Sequence, residues 1–276
     1  MLPYSFLMSV YKKENVDDLT MSINSMLCQT LIPEQIVIVK DGTLTTELDK
    51  KLQEYETNHA GLFTVIGYDE NKGLAYALNF GLKACRNELV ARMDSDDYSM
   101  PTRCEKQVAA FENDPELTIV GSNMKYFQNS IEDISADMRV YPADDASIKK
   151  ALRRYSPFSH PSVMFKKSVI LECGGYDETL RRRQDIDLFS RVIVHNQKKA
   201  ANIQEALLLF RRDESYYTRN KNAESCNNRI AVQKKIYKRG DCRFIDYLYV
   251  WTIMTASKKI PNKLYIKLYS KIKNKK

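Results

Sequence analysis

Residues 88–98 read Glu-Leu-Val-Ala-Arg-Met-Asp-Ser-Asp-Asp-Tyr, an apolar run that ends in three aspartates within four residues. A short apolar run that stops at polar residues is typical of a buried strand. Three similar runs precede it, at Tyr4–Val10, Gln35–Val39 and Leu62–Gly67, and another follows at Leu117–Val120. The sequence therefore predicts a series of short strands, each of which ends in polar residues.

Helical patterns fill the intervals between these strands, at Val16–Leu27, Thr46–His59, Gly73–Cys85 and Pro101–Asn113. Strands that alternate with helical patterns of about 10–15 residues form βαβ units and a mainly parallel sheet. Ligands of such sheets bind at the carboxyl ends of the strands. The predicted fold class is therefore α/β, with an open, mainly parallel sheet and flanking helices.

The alternation becomes irregular beyond residue 121, and the next strand candidate is Ala206–Phe210. From Ala223 the pattern is helical to the end of the sequence. We predict a main domain at residues 1–222 and a helical, basic C-terminal extension at residues 223–276. The length of 276 residues and the apolar fraction of 43% suit one large domain with such an appendage.

The formal net charge of +8 belongs to the C-terminal end of the sequence. Eight of the 43 Lys+Arg residues lie at positions 258–276, and no acidic residue follows Asp246. The other residues carry 35 basic groups against 35 acidic groups. Nucleic-acid-binding proteins carry their basic residues on a face of the folded domain. The neutral body therefore argues against nucleic acid as a partner.

The cysteines and the N-terminal sequence predict a reduced, cytoplasmic chain. The six cysteines form no C-x-x-C pair and no metal-like spacing, which suits free thiols in a cytosolic protein. The first 13 residues have no basic segment before their apolar stretch and no small-residue cleavage site, so we expect a strand there and not a signal peptide. The longest apolar run, Tyr247–Ala256, is too short to span a bilayer.

Polar stretches follow the first three strands, at Ser9–Glu14, Lys40–Thr43 and Asn71–Ala75. An isolated Asp41-Gly42 pair is usually only a turn. Three polar strand ends on one parallel sheet converge on a single crevice, however. We therefore expect these stretches to line a ligand site.

The three aspartates after the next strand predict a metal site. Asp94 and Asp96, at positions i and i+2, can share one divalent cation, and carboxylate oxygens suit Mg²⁺ or Mn²⁺. The alternative is a helix N-cap, in which Asp97 or Ser99 would serve the helix that begins near Pro101. Three aspartates exceed what one cap requires, and their like charges are costly without a cation.

These motifs together resemble the inverting nucleotide-sugar glycosyltransferases of family 2, which have the GT-A fold. The resemblance covers about residues 4–215 and is closest to bacterial members that build O-antigen, capsule or exopolysaccharide. The matching elements, in chain order, are SVYKKE, VKDGT, NKGLAYALNFGL, ARMDSDDYSMP, HPSVMFKKSVI, GGYDE and QDIDLFSRV. The resemblance implies that residues 1–222 form a GT-A catalytic domain, and that the enzyme transfers a hexosyl or N-acetylhexosaminyl group.

The resemblance also assigns roles to residues. It implies that the donor nucleotide contacts a group of residues at the first four strand ends, namely Ser9, Tyr11, Glu14, Asp41, Asn71, Lys72, Gly73, Asp94 and Ser95. Asp94 and Asp96 match the D-x-D pair that binds Mn²⁺ or Mg²⁺, and relatives differ over whether a residue such as Asp97 takes part. Asp185 matches the catalytic base.

The sequence departs from the family pattern at three places. Gln184 stands where the family most often has Glu before the base, and Lys40 stands where many relatives have Asp. Relatives often carry a Tyr-Arg-x-His segment near the end of the domain, and residues 210–213 read Phe-Arg-Arg-Asp. Whether Arg211, Arg212 or Asp213 takes over from this histidine is left open by the sequence.

The base and the acceptor contacts each have a structural alternative. Asp185 or Asp187 could instead be the N-cap of the helical run that follows. His160 is a candidate acceptor contact, although an isolated histidine is more often a structural hydrogen-bonding residue. Gln184 and Arg183 are the other acceptor candidates, and the arginine run at 181–183 could equally be a solvated charge run.

The tail from Pro261 onward predicts a basic amphipathic helix, with apolar and lysine residues each recurring every four positions. Such a helix can lie on an anionic membrane, and the alternative is an ordinary surface helix or a disordered tail. The resemblance implies a UDP-sugar donor and a polyprenyl-diphosphate-linked saccharide acceptor. We therefore expect a cytoplasmic enzyme at the inner face of the plasma membrane.

Two other classes stay open on the sequence. A sugar-nucleotide nucleotidyltransferase also uses an open α/β sheet and a divalent metal, but it usually opens with a glycine-rich loop, and the stretch Ser9–Glu14 contains no glycine. A non-enzymatic membrane- or nucleic-acid-binding protein would depend on the basic tail.

Overall fold

A computed structural model describes residues 1–212 and 223–259 of the chain. Its first half alternates strands and helices at the predicted places: β1 (Tyr4–Val10), α1 (Val16–Leu27), β2 (Gln35–Asp41), α2 (Thr46–Asn58), β3 (Phe63–Tyr68), α3 (Leu74–Ala84), β4 (Leu89–Met93), a short β5 (Tyr98–Ser99) and α4 (Arg103–Asn113). The predicted strands and helices of this half are confirmed. The sequence could predict them because their apolar periodicity is local.

The second half is less regular. It contains β6 (Leu117–Phe127), β7 (Met138–Arg139), α5 (Asp145–Leu152), a 3₁₀ turn (His160–Ser162), β8 (Met164–Lys166), α6 (Lys167–Glu172), α7 (Gln184–Phe189) with a π-helical continuation (Ser190–His195), β9 (Lys199–Arg211), α8 (Ala223–Lys238) and α9 (Phe244–Lys259). The predicted helical pattern after Ala223 is confirmed as far as Lys259. Pro261–Lys276, where the basic amphipathic helix is predicted, lies outside the described residues.

The strands of the described residues form one nine-stranded sheet in the order β3-β2-β1-β4-β8-β6-β9-β5, with β7 added to β6. β1, β2, β3 and β4 are mutually parallel, as predicted. β8 enters antiparallel between β4 and β6, and β6 pairs in parallel with β9. The carboxyl ends of β1, β2 and β4 therefore lie side by side.

Two apolar clusters cover the two faces of the sheet. Successive residues of β1 point to opposite faces, so Phe6 and Met8 join the cluster that packs under α1 and α4, and Leu7 joins the cluster under α3 and α7. All three side chains are fully buried. The site at the strand ends therefore stands on a rigid, two-sided core.

Two strands are longer than predicted. β6 continues from Val120 to Phe127, and β9 begins at Lys199 and not at Ala206. Both extensions carry buried polar residues that an apolar pattern does not reveal. The Oδ1 atom of Asn123 accepts a hydrogen bond from the Tyr141 backbone at 2.8 Å, for example.

The described helices include none that is both long and apolar enough to cross a membrane. All six cysteines lie within the described residues, and none of them forms a disulfide there. The division of the chain at residue 222 stays a prediction.

Glycine is required at position 42 by the loop that follows β2. Gly42 has φ +86°, and a Cβ there would lie 2.7 Å from the backbone nitrogen of Asn71. Gly61 has φ +85° with nothing within 4 Å of such a Cβ.

We expect Gly61→Ala to cost about 1 kcal/mol of unfolding free energy from backbone strain alone. We expect Gly42→Ala to cost about 3 kcal/mol, because overpacking adds to that strain. Urea unfolding of the two variants measures the difference, and equal losses would contradict the close approach.

Candidate functional site

The carboxylates of Asp94, Asp96 and Asp97 form a compact cluster directly after β4. One oxygen from each lies within 4.8 Å of the others. Asp97 is fully buried; its Oδ1 accepts a hydrogen bond from the Arg211 backbone at 2.8 Å, and its Oδ2 has no partner among the described residues. Burial, and then the charges of Asp96 and Asp94, raise the pKa of Asp97 well above its usual range. The donor set is all oxygen and fits a hard divalent cation such as Mg²⁺ or Mn²⁺.

The N-cap alternative for this cluster is wrong. α4 begins at Arg103, and the side chain of its N-cap residue, Thr102, makes no capping hydrogen bond. Ser99 lies in β5 and Asp97 bonds to β9 instead. The cluster therefore serves no helix end.

Arg92 lies behind the cluster, on β4, and is only 2% exposed. Its guanidinium forms an ion pair with Asp94. Its Nε and Nη1 atoms are buried without a hydrogen-bond partner in the part of the chain that the structure describes. Burial raises the pKa values of Asp97 and Asp185, and the positive charge of Arg92 opposes the rise at both. The metal-site candidate and the predicted base therefore lie within electrostatic reach of one side chain.

Arg211, at the end of β9, holds the cluster from the other side. Besides its backbone contact with Asp97, its Nε donates to the Asp96 carbonyl at 3.1 Å, and its Nη2 pairs with Asp18 of α1 at 2.7 Å. Arg212 turns away and lies over the Tyr126 ring, with 4.6 Å between guanidinium carbon and ring centroid. Asp213 lies outside the described residues. Of the described residues that replace the family's histidine segment, Arg211 is thus the one that contacts the aspartates.

Glu14 extends the acidic region from the loop after β1. Burial raises the pKa of Glu14 to about 7, and the charges of Asp96 and Asp94 contribute, while a hydrogen bond with Ser95 opposes the rise. The Ser22 hydroxyl donates to the Asp94 carbonyl at 2.7 Å, and this bond connects the loop after β4 to α1. The structure therefore brings Glu14 and Ser95 together with the aspartates.

Asp41, at the end of β2, organises the loop before α3. Its carboxylate accepts hydrogen bonds from the Tyr68 hydroxyl at 2.9 Å and the Asn71 amide at 2.9 Å, and from the backbones of Lys72 at 2.8 Å and Gly73 at 3.1 Å. These four donors occupy both oxygens. Asp41 thus has a structural role at the N-terminus of α3 in addition to the nucleotide role predicted for it.

The remaining donor-side residues lie at the same edge of the sheet. Ser9 is half-buried near the end of β1, beside Val39 of β2. Tyr11 follows it and is 38% exposed. The ammonium of Lys72 lies 4.6 Å from the centroid of the Tyr76 ring. A cation and exposed aromatic surface are therefore available at this edge.

Asp185 lies in the first turn of α7 and is not its N-cap. The N-cap residue is Arg183, whose backbone is left-handed with φ +64° and ψ +20°. Burial raises the pKa of Asp185, against the opposing charges of Arg183 and Arg92. Asp187 is not the N-cap either: it is 1% exposed and pairs with Arg191 at 2.8 Å and Arg239 at 2.6 Å. The helix-cap alternative is therefore wrong for both aspartates.

The acceptor candidates lie around Asp185. The His160 Nε2 atom is hydrogen-bonded to the Tyr176 hydroxyl at 2.8 Å, and burial together with the charge of Arg92 lowers the pKa of His160 well below its usual range. His160 is therefore neutral. Gln184 is buried, and its Oε1 atom has no partner within the described ranges. Arg183 reaches Ser225 of α8 at 3.5 Å.

Three contributors to the site were missed by sequence reasoning, namely Arg92, Arg211 as a direct contact, and Tyr176. An arginine inside the apolar run Leu89–Met93 was the available signal for Arg92, because a charged residue on a central strand needs a partner. Tyr176 lies in the GGYDE motif, and its pKa is raised by burial and by the charges of Asp185 and Asp94. No local pattern pointed to its contact with His160.

Comparison with known proteins identifies the family. Residues 5–171 match the profile of Glycosyl transferase family 2. The chain is 31% identical over 268 residues to an uncharacterized glycosyltransferase of Haemophilus influenzae, covering 97% of this chain and 98% of the relative. It is 33% identical over 215 residues to the O-antigen biosynthesis glycosyltransferase WbnJ of Escherichia coli, covering 75% of this chain and 78% of that relative.

A third relative and a solved structure extend the comparison. The chain is 28% identical over 246 residues to the Escherichia coli UDP-Gal:alpha-D-GlcNAc-diphosphoundecaprenol beta-1,3-galactosyltransferase, covering 89% of this chain and 87% of that one. The mannosyltransferase PcManGT of Pyrobaculum calidifontis, solved with GDP-Man and Mn²⁺, superposes with a TM-score of 0.66 at 13% identity, covering 98% of this chain and 80% of that chain. The likeness confirms the predicted GT-A fold.

The raised pKa of Glu14 predicts a pH-dependent stability. In the folded chain Glu14 keeps its proton up to about pH 7, whereas the unfolded chain releases it near 4.5. Stability from this group is therefore present below about pH 4.5 and is lost as the pH rises through 7. In metal-free buffer we expect Glu14→Gln to be more stable than the wild type at about pH 8, by about 1 kcal/mol, and nearly equal at about pH 5.

Urea unfolding at the two pH values measures this difference. Glu116→Gln is the matched control, because the Glu116 side chain is 81% exposed. A gain from Glu14→Gln that is the same at both pH values would contradict the assignment.

Proposed function

The chain belongs to Glycosyl transferase family 2, and we propose that it is an inverting, metal-dependent enzyme of bacterial surface polysaccharide synthesis. In this proposal it transfers a sugar from a UDP-sugar to a polyprenyl-diphosphate-linked saccharide. Family membership decides against the two alternatives that the sequence left open, a sugar-nucleotide nucleotidyltransferase and a non-enzymatic basic protein.

One observation carries the proposal: the charge of Arg92 acts on both the acidic cluster after β4 and Asp185. An inverting transfer needs a site for the leaving diphosphate and, close to it, a separate base for the acceptor hydroxyl. The aspartate cluster supplies the first and Asp185 the second. The raised pKa of Asp185 supports its role as a base, because a base works best when its pKa lies nearer to the working pH.

The reaction then follows as a single displacement. Asp185 accepts the proton of the acceptor hydroxyl while that oxygen attacks the anomeric carbon, and the nucleoside diphosphate leaves from the opposite face. Asp94 and Asp96, with Asp97 beside them, would hold the Mn²⁺ or Mg²⁺ ion. When bound, this ion supplies positive charge that stabilises the leaving diphosphate. Arg92 and Arg211 keep the aspartates in place.

The nucleotide would lie along the carboxyl ends of β1, β2 and β4, against Ser9, Tyr11, Glu14, Asp41, Asn71, Lys72, Gly73, Asp94 and Ser95. The names of relatives support the choice of donor and acceptor: one is a UDP-Gal-dependent enzyme that acts on a GlcNAc-diphosphoundecaprenol. Asp41 can accept further hydrogen bonds from a base or a ribose only by sharing oxygens that four protein donors already use.

His160, Gln184 and Arg183 are the proposed acceptor contacts. Gln184 offers a buried oxygen that has no partner among the described residues, and this oxygen can accept a hydrogen bond from a sugar hydroxyl. A neutral His160 can do the same without adding charge beside Asp185. A lipid-linked acceptor implies work at the cytoplasmic face of the plasma membrane, where the lysine-rich tail would add electrostatic attraction.

The first test is a donor screen. The purified chain is given UDP-hexoses and UDP-N-acetylhexosamines together with a lipid-diphosphate-sugar acceptor, and UDP release is measured with Mn²⁺ and with a chelator. We expect release with one donor class, an absolute need for the acceptor, and a loss of at least tenfold on metal removal. Full activity in the chelator would refute the metal role of Asp94 and Asp96.

The second test separates the base from the donor site. We expect Asp185→Asn to lower kcat by about 10²–10⁴-fold, because the proton of the acceptor hydroxyl then has no base, and to leave UDP affinity unchanged. Asp114→Asn is the matched control, since Asp114 pairs with Lys199 at 2.7 Å outside the site. A collapse of UDP affinity in Asp185→Asn would contradict the assignment.

A further inference from the structure

α9 differs from an ordinary surface helix, because its acidic side chain is buried and several of its large apolar side chains are exposed. Its one acidic residue, Asp246, is only 1% exposed. Six large apolar side chains of the same helix are instead exposed by about two-fifths or more, namely Phe244 (58%), Ile245 (54%), Leu248 (39%), Tyr249 (48%), Trp251 (44%) and Ile253 (39%). We call these six side chains the α9 face.

The α9 face is not the result of a loosely attached helix. Val250, on the inner side, is 3% exposed, and the Asp246 carboxylate accepts hydrogen bonds from Arg154 at 2.7 Å and from Arg243 at 3.2 Å. The ring of Tyr247 stacks on Tyr237 of α8, with 5.7 Å between the centroids. The inner side is therefore fixed, and the exposed side is held in one orientation.

Few charges adjoin the α9 face: the guanidinium carbon of Arg154 lies 4.6 Å from the centroid of the Tyr249 ring, and Arg243 precedes the helix. Between Arg243 and Lys258 the sequence contains one charged residue, the buried Asp246. A helix that is apolar on all sides is normally buried or lies against a membrane, and contiguous exposed apolar patches mark interaction sites. The face therefore requires an occupant.

We propose that the α9 face binds the surface of an anionic lipid bilayer. This proposal rests on the proposed function, because a polyprenyl-diphosphate-linked acceptor lies in such a bilayer. Trp251, Tyr249 and Phe244 are side chains typical of the interfacial region of a membrane. The helix of 16 residues is too short to span the bilayer, so it would lie along the surface.

Charge selects the bilayer over a second copy of the chain. The sequence that follows the face carries eight lysines at positions 258–276 and no acidic residue, while exposed Arg243 stands at the other end of the face. Two copies that met through this face would bring these like charges together, which is costly. An anionic lipid surface offers each lysine a favourable electrostatic contact.

The α9 face is rigidly connected to the helix that carries Asp185. Arg229 and Gln233 of α8 donate to the carbonyls of Arg154 and Arg153 at 2.7 and 2.8 Å. Arg239 joins Asp187 of α7 to Asp241, at 2.6 and 2.8 Å. A bilayer bound at α9 would therefore hold the base helix at a fixed height above the lipid.

Trp251 gives a direct readout, because it is the only tryptophan in the sequence and lies in the face. We expect exposed, long-wavelength emission in buffer, and a shift to shorter wavelength on adding vesicles with about 30% phosphatidylglycerol. Vesicles of phosphatidylcholine alone should produce a much smaller shift. Neither measurement needs a sugar donor. A failure to bind vesicles can therefore be distinguished from a failure of the transfer reaction.

The variant Ile245→Ser/Leu248→Ser/Ile253→Ser removes apolar surface and keeps Trp251. We expect it to lower the partition coefficient for anionic vesicles at least tenfold. Its matched control is Ile32→Ser/Val140→Ser/Leu171→Ser, which changes three side chains that are 71%, 57% and 40% exposed elsewhere. Circular dichroism and thermal unfolding check that both variants fold.

Three results would overturn the proposal. Equal vesicle binding by the two variants would mean that the face takes no part and that the lysines act alone. Short-wavelength emission in buffer that is lost on dilution, together with a dimer in analytical ultracentrifugation, would assign the face to a second copy. Short-wavelength emission from a monomer in buffer would mean that another part of the chain covers it.

Discussion

The mutual repulsion of the carboxylates at the strand ends is the constraint on which the site depends. Asp94, Asp96 and Asp97 lie within 4.8 Å of one another, and like charges at such distances repel strongly where water is excluded. Two arginines hold them there. Arg92 pairs with Asp94 from below, and Arg211 binds the Asp96 and Asp97 segment from β9. The long β6–β9 pair, which carries Arg211 to this point, thus positions the acidic cluster.

A second constraint separates the two aspartates of α7. Asp187 is saturated by Arg191 and Arg239, so its charge is neutralised inside the protein. For Asp185, two residues earlier, burial raises the pKa, and the charges of Arg183 and Arg92 together with backbone hydrogen bonds from Ile186 and Asp185 itself oppose the rise. Two carboxylates on one helical turn therefore have different environments, which is how proteins assign different roles to like groups. Arg239, the residue that follows α8, contributes to this division.

The sequence predicted those parts of the fold that depend on local periodicity. The apolar spacing within each segment from β1 to β4 is enough to predict its strand or helix. The parallel topology then predicts that the polar residues at the strand ends meet at one edge of the sheet. The extension of β6 was not predictable, because its residues Ser122 and Asn123 are polar and become buried only through distant partners. The contacts of Arg211 with Asp96, Asp97 and Asp18 likewise join segments that are far apart in sequence. The cap alternatives were wrong because the spacing of aspartates does not say where a helix begins.

The C-terminal helix shows why a charge distribution alone misplaces a surface. The lysines at 258–276 suggest that membrane contact begins after Pro261. In the structure the apolar surface lies upstream, on α9, because Asp246 turns inward to bind Arg154. With Asp246 on the inner side, Phe244 and Trp251 lie among the side chains that face outward. The lysines follow this apolar face in the sequence. In the proposed contact with a bilayer, burial of the face would supply the energy and the lysines would supply the preference for anionic lipid.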